Sequence, residues 1–195
     1  GLNREEQDAF AAASHDKAAR AQAEGRLADE IISITTDSGV VSADGCIRPG
    51  TTVETLSGLK PAFDENGMVT AGTSSPLTDG ASAVLVCSEA YAEKANLEPL
   101  ARIKGIATAG CEPEIMGIGP VGSSNKALAR AGIGVDDLDV IELNEAFAAQ
   151  SLASIRDLKL DTAKINLDGG AIALGHPLGA TGARITGKAA QVLKR

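Results

Sequence analysis

The chain is poor in aromatic residues, cysteine and histidine, and it lacks any long apolar run. Aromatics make up 2% of its 195 residues: three Phe, one Tyr and no Trp. A core must therefore be built from Ala, Val, Ile and Leu, within a hydrophobic share of 44%. That is enough for one domain with a core, or for a domain plus part of another. No stretch approaches the roughly 18 apolar residues that a membrane-spanning helix needs. Gly1–Glu6 has neither the basic start nor the apolar stretch of a signal peptide. The three cysteines (Cys46, Cys87 and Cys111) are widely spaced, no CxxC occurs, and the two histidines lie far apart. This pattern argues against a disulfide framework and against a zinc site, and it fits a reducing, cytoplasmic compartment.

Basic charge is also in the minority, with 18 Lys+Arg against 26 Asp+Glu and a formal net charge of −8. Such a chain has no electrostatic footprint for nucleic acid or for an anionic membrane surface. A small anionic ligand stays open, because backbone N–H groups and a few Arg can bind one whatever the net charge.

Asn3 to about Gly25 reads as a helix, opened by a capping box between Asn3 and Glu6 and stopped at Gly25. Glu30–Thr35 has the β-branched content of a strand, and 37–61 is irregular. Ala81–Cys87 reads as a buried strand with Cys87 in the core, and Ser88–Ala95 as helical. Leu100–Ala107, Val140–Leu143 and Lys164–Leu167 read as strands. They alternate with helices over Ser123–Ala131, Glu145–Lys159 and Thr181–Arg195. This alternation implies an α/β fold with a layered sheet. His15, on the polar first helix, reads as a solvated side chain.

The densest segment for chemistry is Asn166–Gly179, where His176 sits between Gly175 and Pro177. Glycines allow close backbone approach and Pro fixes the chain direction, which suits a histidine presented to a substrate. A turn histidine bonded to nearby backbone fits the same residues. In Glu142–Ala148 a polar pair follows a buried strand, at the place where open α/β sheets put their ligands. Taken alone, Asn144 there is an N-cap. Gly117–Gly122 fits GxGxxG, but Glu112-Pro113-Glu114 intervenes where a dinucleotide fingerprint needs a strand, leaving NAD binding a minor alternative. Gly182–Lys188 fits GxxxxGK only by spacing, since Ala189 replaces the Ser/Thr that would hold Mg²⁺.

Together these segments resemble the thiolase family. Gly169–Ala180 is similar to its histidine motif, and Asn144–Gln150 to its Asn-Glu-Ala-Phe motif. Pro61-Ala62-Phe63 with Val69–Ala81 is similar to its coenzyme A loop, and Met116–Pro120 to a further family segment. The resemblance covers the whole chain and is nearest to the degradative 3-ketoacyl-CoA thiolases of fatty-acid β-oxidation. It implies a thiolase-like layered fold, with a mixed sheet covered by helices, truncated at both ends. His176 would be the general base for a nucleophilic cysteine. It would also help hold the thioester oxygen, together with a water on Asn144. Arg48, Thr55, Ala71 and Ser75 match positions that contact coenzyme A, and Met116, Ala146 and Phe147 match positions near the pantetheine and acyl group. The chemistry would be two-step acyl transfer through an acyl-cysteine. Coenzyme A would be a substrate, with no cofactor and no metal.

The family's nucleophilic cysteine and its second, glycine-flanked cysteine have no counterpart here, so the chain alone is expected to be inactive. Asp168 stands where the family commonly has Asn and adds a negative charge beside the histidine loop. The expected organisation is 1–77 as the end of the CoA-binding loop region, 78–97 as the last elements of an N-terminal domain, and 98–195 as a C-terminal domain lacking its final strands. Expected partners are CoA thioesters, the remaining half of the fold, and further copies in a homo-oligomer. A biosynthetic acetoacetyl-CoA thiolase and a non-catalytic thiolase-like subunit are the alternatives.

Overall fold

The computed structural model describes residues 1–195. Helix α1 (Arg4–Ala23) begins as the sequence predicts. Asn3 Oδ1 accepts the Glu6 N–H at 2.9 Å, and Glu6 Oε2 accepts the Asn3 N–H at 2.9 Å. Its buried residues Gln7, Ala11, Ser14, Ala18 and Ala21 recur at three- and four-residue spacing and so share one face. That face meets helices α2 (Val53–Ser57), α5 (Ala148–Leu158) and α6 (Ala171–Leu174). Ala11, Leu56, Ala148 and Ile172 form the apolar centre. Two of the four are alanine, so the helices approach closely, as a chain nearly without aromatics requires. His15 is buried on this helix, not solvated: its Nδ1 accepts the Arg48 N–H at 3.1 Å. The ring closes the 46–48 segment over α1, a use that helix-face polarity does not reveal.

After a single 3-10 turn at Ala28–Glu30, strands β1 (Ile34–Thr36) and β2 (Gly39–Val41) form an antiparallel hairpin exposed on both faces. Helix α3 (Glu89–Lys94) lies within the stretch read as helical. Helix α4 (Gly119–Ala131) ends at Gly132 with φ 72°, the predicted stop. Helix α5 starts three residues later than expected and ends at Lys159 with φ 54°. Helix α7 (Leu178–Lys194) starts three residues earlier than expected.

The expected strands fare differently. Val140–Leu143 and Lys164–Leu167 meet in a parallel bridge: Ile141 N donates to Lys164 O and Asn166 N to Ile141 O, both at 2.9 Å. The 81–87 and 100–107 runs make no ladder. Each lies along a helix, with Ser82 Oγ donating to Ala180 O at 2.6 Å, and Lys126 and Arg130 reaching the Thr108 and Ile106 carbonyls. A strand needs a neighbour's N–H and C=O groups, and no neighbour lies beside them in the chain. Leu85, Val86, Ile103 and Ile106 are exposed, and so is Cys87, which is not in the core. Residues 113–118 form 3-10 turns that run straight into α4, so no strand-to-helix phosphate loop forms at GxGxxG. The GxxxxGK spacing falls inside α7, and its Lys188 is buried.

One polar group joins these parts. Glu145, 2% exposed, lies between the 141–143 segment and α5. Its Oε2 accepts from Ser14 Oγ on α1 at 2.6 Å and from the Ile172 N–H on α6 at 3.1 Å, and its Oε1 accepts from Asn166 Nδ2 at 2.8 Å. Asn166 also pairs with both backbone groups of Leu143 at 2.8 Å. Ser14 Oγ in turn accepts the Gly170 N–H at 3.1 Å. A Cβ on Gly170 would lie 2.1 Å from the Glu145 carboxyl carbon, so only glycine fits. Ser14→Ala strips one donor from the carboxylate and orphans the Gly170 N–H. A loss of about 1–3 kcal/mol in urea unfolding is expected. Stability equal to the parent's would show that the carboxylate does not need this donor.

Candidate active site

His176 is held from three sides. Its backbone N–H donates to Thr78 Oγ1 at 3.0 Å. Its Nδ1 lies 2.7 Å from Thr181 Oγ1 and its Nε2 lies 3.3 Å from Asn144 Nδ2. Gly175 turns the chain with φ 98°, and a Cβ there would lie 2.8 Å from Thr78 Oγ1. The glycine-rich segment thus does what its composition suggests: it lets the 78–80 segment pack directly onto the histidine loop. The ring is half-buried. Burial first, and then the Arg184 charge, lower its pKa below the usual histidine value, which favours neutral imidazole at pH 7.

Asn144 is not an N-cap, because Phe147 occupies that position ahead of α5. Its amide turns instead toward His176, and its Oδ1 is buried without a donor from the chain. The next residue, Glu145, is the buried anchor, so the backbone that presents Asn144 is fixed from beneath. Burial pushes the Glu145 pKa up, opposed by its hydrogen bonds from Ser14, Asn166 and the Ile172 N–H.

A second group of predicted residues converges beside this pair. Ser75 donates twice to Ala146 O, from N at 3.0 Å and from Oγ at 3.1 Å. Ser74 and Phe147 form an antiparallel bridge, and Phe147 meets Phe63 edge to face at 6.0 Å between centroids. Ala71 opens the 3-10 turn Ala71–Thr73 that leads into Ser74 and Ser75. No hydrogen bond joins the remaining three to this group. Thr55 belongs to the α2 capping box, Arg48 is exposed above His15, and Met116 is 77% exposed on the 113–118 turns. None of Cys46, Cys87 and Cys111 is a partner of His176.

Sequence reading noted the charge of Asp168 but missed the cations that surround it. Asp168 is fully buried and binds three cations: Arg26 at 2.6 Å, Lys188 at 3.0 Å, and Arg195. Burial raises its pKa, but the Arg195 and Lys188 hydrogen bonds outweigh it and leave the carboxyl below its usual value. The extra charge is therefore neutralised in place. Thr78 and Thr181 were missed as well: Thr181 lies five residues after His176, but nothing in the sequence ties Thr78 to the histidine. Glu142, two residues before Asn144, has a buried Oε1 with no donor. Burial pushes its pKa up to about 8, against the pull of Arg184 and Lys188.

Glu142 thus has a pH signature. An unfolded glutamate ionises at about pH 4.3, while the folded group keeps its proton up to about 8. Between those values the folded state binds the extra proton, so stability falls as pH rises, by at most about 1.4 kcal/mol per pH unit. Glu142→Gln should match the parent near pH 4 and exceed it at pH 8 in urea unfolding. Parallel curves across this range would place the carboxyl in water.

Comparison with known proteins gives one family. The description "thiolase, N-terminal domain" matches residues 1–90, and "thiolase, C-terminal domain" matches residues 97–195. The 3-ketoacyl-CoA thiolases of Shewanella frigidimarina and Hahella chejuensis are 57% and 56% identical over 195 residues, covering 95% of this chain and 50% of each relative. The chain thus spans about half the length of the curated relatives it matches. Human mitochondrial 3-ketoacyl-CoA thiolase in complex with CoA superposes with a TM-score of 0.97 at 46% identity, over 100% of this chain and 49% of that one. The Bacillus anthracis acetyl-CoA acetyltransferase gives 0.95 at 45% identity, over 100% of this chain and 50% of that one. The chain belongs to the thiolase family and has the thiolase fold.

Proposed function

We propose that this chain supplies the histidine side of an acyltransferase site for thiolytic cleavage of a 3-ketoacyl-CoA by CoA, giving acetyl-CoA and a shortened acyl-CoA. The observation that carries the reading is the His176–Asn144 contact at 3.3 Å, on loops fixed by Thr78 and Glu145. A neutral His176 is the base that takes a thiol proton, and Asn144 orients a water toward the thioester oxygen. Ser75, Ala71, Thr55 and Arg48 contact coenzyme A, and Ala146, Phe147 and Met116 border the pantetheine and acyl group. Ser75, Ala146 and Phe147 support this as a group, because they meet one another beside the Asn144 segment.

The division is 1–77 for the coenzyme A loop region, 78–97 for the last N-terminal elements and 98–195 for the C-terminal domain. The partner is the rest of the fold, which supplies the nucleophilic cysteine, in a homo-oligomeric cytoplasmic enzyme of fatty-acid β-oxidation. The exposed apolar side chains of the 81–87 and 100–107 runs support such a partner, since a paired strand would cover them. The likeness to the acetyl-CoA acetyltransferase favours a second reading, the condensing direction on acetyl groups.

The chain alone should not thiolyse acetoacetyl-CoA. Complemented with the missing half from a relative, it should gain activity. His176→Ala should then lower kcat by about 10²–10⁴-fold, the usual contribution of a general base. Turnover by the chain alone, or full activity of the complemented His176→Ala variant, would sink the proposal. Rates on acyl chains of rising length separate the two directions of use: a preference confined to acetoacetyl-CoA supports the condensing enzyme.

A further inference from the structure

We propose that Thr181 is a positioning residue that holds His176 as its Nδ1–H tautomer, leaving Nε2 as the basic nitrogen of the site. Two independent contacts carry this. Thr181 Oγ1 lies 3.1 Å from Pro177 O, which can only accept and so gives the single hydroxyl proton a place away from the ring. The hydroxyl then offers a lone pair to Nδ1 at 2.7 Å, and Nδ1 must bring the proton. At the other side of the ring, the Asn144 amide nitrogen at 3.3 Å can only donate, so Nε2 must accept. Both ends of the imidazole specify the same tautomer.

Thr181 is well placed to enforce this. It is 5% exposed in the first turn of α7, and its backbone N–H is held by Pro177 O at 3.0 Å. Thr78 fixes the backbone of His176 from the opposite side. The second histidine supplies a contrast. His15 Nδ1 accepts a backbone N–H at 3.1 Å, so His15 carries its proton on Nε2.

The consequence for chemistry rests on the acyl-transfer reading above. A neutral Nε2 takes the proton of the nucleophilic cysteine thiol, and sulfur keeps the bonding pair as thiolate. The resulting imidazolium carries N–H on both nitrogens. Nδ1–H stays on Thr181, and the new Nε2–H can donate to the thioester oxygen. One nitrogen thereby serves as base and then as donor. The opposite tautomer would face the site with a nitrogen that has no lone pair to use.

The chain has only two histidines, so an imidazole ¹⁵N spectrum of the intact 195-residue chain is readable directly. At a pH above both histidine pKa values, the parent should show opposite patterns. His15 should have a pyridine-type Nδ1, and His176 a pyridine-type Nε2. Thr181→Ser should keep the His176 pattern. Thr181→Val, which keeps the shape and removes the acceptor, should move His176 toward the Nε2–H form. Thr181→Ala serves should the valine variant not fold. A parent His176 with a pyridine-type Nδ1 overturns the assignment, and so does a hydroxyl-free variant with an unchanged pattern. Neither readout needs turnover, so a failure here is distinct from a failure of the acyl-transfer reading.

Discussion

The buried carboxylate of Glu145 is the interaction on which the rest of this structure depends. Its donors come from three separated parts of the chain: Ser14 on the first helix, Asn166 after the parallel bridge, and the backbone of Ile172 beyond the glycines. Burying a carboxylate costs several kcal/mol unless donors replace its water. The three segments must therefore arrive together, and their arrival fixes the two loops that carry Asn144 and His176. Gly170 follows from the same constraint, because any side chain there would occupy the space of the carboxyl group.

A second polar layer lies beneath the histidine loop. Asp168 collects Arg26, Lys188 and Arg195, tying the end of the first helix to α7. Lys188 also reaches Glu30 at 2.7 Å. These groups hold the loop from behind, while Thr78 and Thr181 hold the histidine itself. The site is thus a short stretch of backbone braced by buried polar contacts, in a protein whose apolar core is mostly alanine-sized. Small residues bring backbones close, and close backbones leave buried polar groups that need each other.

Much of this was legible beforehand. The capping box at Asn3, the stop at Gly132 and the glycine turn at Gly175 just before His176 are local, and the structure keeps all three. Local cues misled where a partner decides the outcome. His15 looked like a solvated residue on a polar helix, yet it is buried because the 46–48 segment folds back over it. Cys87 looked like a core residue in an apolar run, yet that run has no strand beside it and lies exposed. Asn144 looked like a cap, since the sequence does not show that α5 begins three residues later.

What residue order alone determined is the set of motifs: a histidine among glycines, the Asn-Glu-Ala-Phe stretch, and an acidic chain without metal-ligand spacing. Motifs of this kind are written in consecutive residues, because turns and caps act over a few positions. Tertiary structure alone decided which groups meet. Thr78 lies 98 residues from His176 in sequence, and Ser14 lies 131 from Glu145, yet each pair is in hydrogen-bond contact. No periodicity or spacing encodes such a pairing. It follows from how the helices pack, and from the rule that a polar group taken out of water must find a partner.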